Sequence, residues 1–268
     1  MLSPDAAVRV EQVGIDYLEV RIGELARVAG NPYGAMVRPA GSARAFLVQE
    51  IPNPLFNTVM GLTADTAAEL PELARWYAGH GRKLRAEVAP AQSSRELFTA
   101  LAAQGLSQTA FYAGLYSEAV PLAAPEAARS AQVETVQVEA ADPDEFGRVY
   151  ADGFGFPAGR RDAMAVSVRV LAGRPDVRLY RARISASTAG VALLFLGGKT
   201  GYLATAATLP GYRRQGVHAA LARQRIHDAH LAGCDLIVGH AAAGSASQRT
   251  MERCGLRLAY TKAIWSTP

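Results

Sequence analysis

The chain has 268 residues, 50% of them hydrophobic and 19% charged, a balance that fits a soluble globular protein of one large or two medium domains. The formal net charge is +4, and lysine occurs only at Lys83, Lys199 and Lys262, so arginine carries the positive charge. Such a surface accepts an anionic ligand. No long basic stripe interleaved with aromatics demands nucleic acid, and no apolar run of about 18 residues predicts a membrane span.

The opening MLSPDAAVRVEQVG has no basic segment followed by an apolar core, so no secretory leader is expected. FNTVMGL reads as a strand. TADTAAELPELARWYAGHG reads as a helix, with Thr63 or Asp65 as N-cap and Gly81 just past its end. KLRAEVA is a strand, SSRELFTALAAQG a helix and LSQTAFYAGLY a further strand. The segment 119-AVPLAAPEAARSAQ-132 is rich in Ala and Pro, has no face to bury, and reads as a linker. It divides the chain into domains at 1–118 and 133–268.

Beyond the linker, VETVQVEA alternates as a strand should. DPDEFGRVYADGF is a helix with Asp142 as N-cap, and RRDAMAVSVRVLAG is a second helix. VRLYRARI, TAGVALLFLGG and TGYLATAAT are three successive strands, turning at 185–187 and 197–199. The loop GYRRQG leads into the helix VHAALARQRIHDAHLAG. CDLIVGH is a strand, SASQRTMERCG a helix and LRLAYTKAIW a closing strand. Strand–helix–strand–helix–strand therefore occurs twice, with Gly81 matching Gly233 and Gly105 matching Gly255. Any two α/β segments share such alternation, but the paired glycines favour an internal duplication. The expected fold class is α/β, a mixed sheet flanked by helices in each half.

The stretch ATLPGYRRQGVHAAL combines features that suit an anion. A helix N-terminus leaves N–H groups unpaired and carries partial positive charge. A pyrophosphate fits there. Gly216 has no Cβ to obstruct it, Arg213 and Arg214 add charge, and Pro210 ends the strand. By itself, an Arg-rich turn is more often a solvated loop.

This stretch resembles the acetyl-coenzyme A loop of the GNAT superfamily of N-acetyltransferases, whose signature is Gln/Arg-x-x-Gly-x-Gly/Ala. Arg213-Arg214-Gln215-Gly216-Val217-His218 matches the first two fixed positions, and His218 departs from the last. Thr208-Leu209-Pro210 and Tyr212 supply the preceding part. The resemblance covers residues 133–268 well and 1–118 in outline, so it implies two GNAT-like domains in tandem. It implies that amides of residues 214 to 219, including Val217, His218 and Ala219, hold the pyrophosphate of acetyl-coenzyme A. It implies that the edge at Ala206, Ala207 and Thr208 pairs with the pantetheine amides, and that Ser247 meets the pantetheine arm. An acceptor amine, on a small molecule or a peptide, would attack the thioester directly.

The family often carries a tyrosine acid four residues before the last helix-ending glycine. Here that glycine is Gly255 and the position holds Met251. Tyr260 is the substitute candidate, and is equally a core aromatic. His240 closes CDLIVGH, and the ordinary imidazole pKa near 6.5 suits a general base; a capping histidine is the plainer alternative. His227 and His230 have metal spacing but no third ligand, so no metal is expected. Ser245 or Ser247 caps the last helix. Asp235 reads as structural. Cys234 and Cys254 show neither metal spacing nor a disulfide framework, which favours a reduced cytoplasmic setting. In the first half, Asp65 and Glu69 already complement the helix dipole and would repel a phosphate. That half is expected to bind no coenzyme A, and to support the other or mediate contacts of a monomer or homodimer. The rival readings are a coenzyme A-binding module without catalysis and a non-enzymatic interaction protein.

Overall fold

The computed structural model describes residues 3–51, 53–118, 133–138 and 142–267. The expected linker at 119–132 lies outside them. Two compact units are formed: unit 1 is Met1–Gly114 with Ala259–Pro268, and unit 2 is Leu115–Leu258.

Unit 1 begins with helix α1 (Pro4–Ala26), followed by the hairpin β1 (Ala35–Ala40) and β2 (Ala43–Val48). Neither is among the elements expected from the sequence. Ser3 caps α1 by accepting the Ala6 N–H at 3.2 Å, and Val10, Leu18, Ile22 and Leu25 form its buried face. Strand β3 (Thr58–Met60), helix α2 (Leu70–Gly79), strand β4 (Arg85–Val88), helix α3 (Arg95–Ala103) and strand β5 (Ser107–Glu118) follow as expected. Leu70, Leu73 and Tyr77 recur at helical spacing and are buried against the sheet. The Tyr77 hydroxyl, buried with them, donates to the Phe46 carbonyl at 2.8 Å.

Unit 2 contains β6 (Val133–Val138), α4 (Pro143–Gly153), α5 (Ala158–Arg169), β7 (Val177–Ile184), β8 (Ser187–Gly197), β9 (Thr200–Tyr202), β10 (Ala206–Thr208), α6 (Val217–Leu231), β11 (Leu236–Ala242) and α7 (Ala246–Arg253). β6, β7 and β8 form an antiparallel meander. β9 pairs antiparallel with β8 and parallel with β11, the crossover being α6. Asp142 caps α4 through the Glu145 N–H at 3.0 Å. Ser245, not Ser247, caps α7 through the Gln248 N–H at 3.2 Å.

Strand β12 (Arg257–Ser266) takes the chain back to unit 1. It pairs antiparallel with β4, from Ala263 opposite Val88 to Ser266 opposite Arg85. Within unit 1 the strand order is β1-β2-β3-β4-β12-β5. The compact units therefore differ from the division at 118 and 133 read from the sequence, because residues 259–268 complete the first sheet. Strand pattern reports alternation and burial, not which sheet a strand will join.

A buried charge cluster fixes this strand. Lys262, 1% exposed, places Nζ 2.9 Å from Glu87 Oε2 and 3.3 Å from Glu11 Oε1. Arg85 lies 2.6 Å from Glu87. Burial would raise the Glu87 carboxyl, but Lys262 and Arg85 outweigh it and hold the group down at about 2.

Candidate functional site

TGYLATAAT, expected as one strand, is two. Three residues, 203–205, separate Tyr202 from Ala206, whereas their partners Phe195 and Ala192 on β8 are separated by two. This is a β-bulge, which bends a strand and re-aims the residues beyond it. The last link to β11 is the Leu203 N–H, which donates to the Val238 carbonyl at 2.7 Å. Beyond it β11 runs on to Ala242, while β10 stays with β8 and, among the described residues, pairs with no other strand. The Ala206–Thr208 edge on that side is open. Gly190 permits the close packing behind it: an added Cβ would lie 2.7 Å from the Ala207 carbonyl oxygen and 2.8 Å from Val217 Cγ1.

The arginine loop comes directly after β10. Residues 210–212 form a 3-10 turn and Arg213 is extended. Arg214 has φ 63° and Gly216 has φ 81°. Gly216 is the N-cap of α6, in the left-handed region, and no side chain caps the helix. Ala220 donates to the Gly216 carbonyl at 2.9 Å, which opens the helical ladder. The N–H groups of Val217, His218 and Ala219 belong to the first turn, where a helix supplies no internal acceptor. The loop from Arg213 to Gly216 is exposed and Val217 is buried beneath it.

The two arginines divide their work. Arg213 Nη2 donates to the Gly153 carbonyl at 2.9 Å, tying the loop to the end of α4. The Arg214 side chain is solvent-exposed and carries its charge at the loop's surface. Gln215 Nε2 braces the turn through the Gly211 carbonyl at 3.0 Å. His218 adds no charge: burial first, then the neighbouring charges of Arg225 and Arg253, lower its pKa to about 4.

His240 lies on β11, past the point where β10 turns away. Its Nδ1 is 3.3 Å from the Tyr202 hydroxyl on β9, with the rings edge-on at 5.4 Å. Tyr202 was not foreseen as a site residue. The register places it opposite Val238, two residues before His240 on one face of the sheet, and that alternation was its signal. Met251 is 2% exposed. A Cβ at Gly239 would come 2.4 Å from its Sδ, so the position where the resemblance implies a tyrosine is filled by a thioether packed on β11. Ser247 sits half-buried in the first turn of α7.

Tyr260 belongs to unit 1, where its hydroxyl donates to Glu11 Oε2 at 2.7 Å. Burial pushes the Cys254 thiol up, away from the thiolate. Among the described residues no group of three or more His, Cys, Asp or Glu is placed to hold a metal, and no helix is long and apolar enough to cross a membrane. In unit 1 the equivalent helix start is closed by its own side chains. Thr66 Oγ1 accepts the Thr63 N–H at 2.8 Å in a capping box, and Asp65 stands in the first turn.

A second residue missed from the sequence is Arg225, on α6 and 1% exposed. Its Nη1 donates to the carbonyls of Leu193, at 3.0 Å, and Ala204, at 3.5 Å, and its Nε donates to Leu221 at 3.0 Å. Burial lowers its pKa to about 10, which leaves it protonated at neutral pH.

The mixed sheet flanked by helices, with a strand that turns away at a bulge before an uncapped helix, has its likeness among solved N-acetyltransferase structures. Among solved structures, the chain is similar to a GCN5-related N-acetyltransferase from Kribbella flavida, with a TM-score of 0.67 and 18% identity over 96% of each chain. A tandem GNAT protein from the clavulanic acid biosynthesis pathway matches at 0.62 and 16% identity, over 92% of this chain and 87% of that one. A functionally unknown conserved protein from Staphylococcus epidermidis matches at 0.63 and 15% identity, over 88% and 95%. No protein-family model matches the sequence, and no curated protein matches it.

Proposed function

We propose that the chain is an N-acetyltransferase that moves an acetyl group from acetyl-coenzyme A to a primary amine on a small-molecule or peptide acceptor. The observation that carries this reading is the open β10 edge beside the uncapped, glycine-started N-terminus of α6. Amides of residues 214 to 219 would hold the pyrophosphate, with Arg214 adding charge. Ala206, Ala207 and Thr208 would pair with the pantetheine amides as a missing strand would, and Ser247 would meet the same arm. His218 would contribute its backbone N–H.

A backbone N–H at the opening would polarise the acetyl carbonyl, as in oxyanion-type stabilisation. The amine nitrogen bonds to the acetyl carbon while the carbon–sulfur bond breaks. His240, oriented by the Tyr202 hydroxyl, would accept the amine's proton, and the sulfur would leave as thiolate and take a proton from solvent. Tyr260, the substitute acid read from the sequence, donates its hydroxyl to Glu11, and solvent is the proton source in this scheme. Cytoplasmic placement suits a chain whose two cysteines show no disulfide framework in their spacing.

Two measurements test the scheme. Gly216→Asp puts a carboxylate on a left-handed backbone against the expected pyrophosphate. Calorimetry should show acetyl-coenzyme A affinity reduced by about 100-fold or more; unchanged affinity would end the cradle assignment. His240→Ala should lower thiol release with an active amine by about 10²-fold and remove the base limb of the pH–rate profile. Full rate across pH 6–9 in that variant excludes His240 as the base.

A second reading is favoured by Met251, which leaves no hydroxyl beside Gly239. On it, the chain binds acetyl-coenzyme A without transferring the acetyl group. Binding with no thiol release across a panel of amines would select it.

A further inference from the structure

We infer that Arg225 is a positioning residue: it keeps β10 turned away from β11 by supplying the hydrogen-bond donors that the bulge at residues 203–205 removes from the sheet. The inference rests on the reading of that opening as the acetyl-coenzyme A cleft.

The partners of Arg225 are all carbonyls, and two of them lie on the two sides of the bulge. Leu193 belongs to β8, opposite the irregular stretch, and Ala204 is the central residue of that stretch. Around them the backbone bonds are irregular. Leu193 gives its N–H to the Thr205 carbonyl at 2.8 Å, and the Ala204 N–H turns back to the Tyr202 carbonyl at 2.8 Å. A bulge leaves one residue out of the ladder, and a buried carbonyl without a donor is costly. One guanidinium nitrogen, Nη1, reaches both strands while Nε holds the head to Leu221 in the helix, which no apolar side chain can do.

Ion pairing does not explain the residue. Among the described residues no carboxylate pairs with Arg225, and the groups that favour its charge are Tyr180 and Cys254. Asp228, the acid nearest along the helix, receives the Tyr180 hydroxyl at 2.7 Å and the Gln224 amide at 3.0 Å. A buried cation with no counter-charge is expensive, and a leucine or methionine would fill the space without that expense. What those side chains could not do is donate to Leu193 and Ala204. Without those donors, the cheapest repair is to restore regular pairing, which would close the Ala206–Thr208 edge.

This separates two parts of one ligand. The arginine loop would bind the nucleotide and its diphosphate, while the strand edge held by Arg225 would bind pantetheine. Calorimetry on the full chain should therefore use two probes: acetyl-coenzyme A, and adenosine 3′-phosphate 5′-diphosphate, which lacks the pantetheine arm. Arg225→Met should weaken acetyl-coenzyme A by about ten-fold or more and leave the shorter probe within about two-fold, whereas Gly216→Asp should weaken both.

Equal affinity of wild type and Arg225→Met for acetyl-coenzyme A overturns the inference, as does a parallel loss of both probes. If wild type itself binds neither probe, the cofactor reading fails first, and that result is distinct from the other two. Should Arg225→Met not fold, Arg225→Lys decides. It keeps the charge but ends one atom short of Nη1 and lacks the Nε anchor, so a selective loss of acetyl-coenzyme A affinity supports the role and an unchanged affinity refutes it.

Discussion

Three residues can be taken singly: Gly216 at the N-cap of α6, and His218 and Arg225 within it. Gly216 was legible in the sequence, because a lone glycine between an arginine loop and an Ala/Leu-rich helix has few other uses; its φ of 81° supplies the reason. Arg225 was harder to read. Val217, Leu221, Arg225 and Asp228 all lie on the buried face of α6, so polar residues occupy the apolar stripe and blur its pattern. His218 makes a testable claim about pH. Its folded pKa, about 4, is below the ordinary 6.5, so between those values the unfolded chain binds a proton that the folded one refuses. Stability is then unaffected above pH 6.5 and falls as pH drops toward 4, by roughly 3 kcal/mol at most. Thermal unfolding of unit 2 followed by far-ultraviolet circular dichroism should show this slope, and His218→Gln should flatten it. An identical slope in the variant would remove His218 as the cause.

Elements were legible where periodicity and caps agree. The helices begun by Ser94, Asp142 and Ser245 fall where capping residues precede an apolar rhythm. The break between β9 and β10 was not legible, since residues 203–205 are Leu, Ala and Thr, with neither glycine nor proline to mark the bulge. Its position is set by pairing with β8 and β11, which are distant in sequence. The placement of β12 had the same cause, and its anchor can be measured. Lys262→Met leaves Glu11 and Glu87 buried with one cation fewer, and should cost unit 1 about 3–5 kcal/mol. The chain's two tryptophans, Trp76 and Trp265, both lie in unit 1, so urea unfolding followed by tryptophan fluorescence reads that unit directly. A loss below about 1 kcal/mol would show that the cluster is not what holds the strand.

For the whole molecule, the fold is similar to that of a GCN5-related N-acetyltransferase over 96% of each chain, and to that of a tandem GNAT protein over 92% of this chain. The halves are unequal where it matters. Unit 1 closes its helix start with Thr63, Thr66 and Asp65, while unit 2 leaves the start of α6 uncapped. That asymmetry was visible in composition, since the acidic residues of the first loop stand where the second has arginines. Removing residues 259–268 should strip unit 1 of a strand between β4 and β5 and unfold it, shown by a red shift in the emission of the half-buried Trp76. Native Trp76 emission from the shortened chain would count against this.

The return of β12 to unit 1 also has a consequence for biosynthesis. Domains generally fold as units from the N-terminus while the ribosome is still adding residues. Here unit 1 is translated first but lacks a strand until unit 2 has been made in full. The order of maturation is therefore inverted. A ribosome-bound chain arrested before Ala259, with unit 2 clear of the exit tunnel, should protect unit 2 from limited proteolysis while the first 114 residues are still cut. During that interval, the incomplete edge of β4 is the surface that chaperones would have to shield.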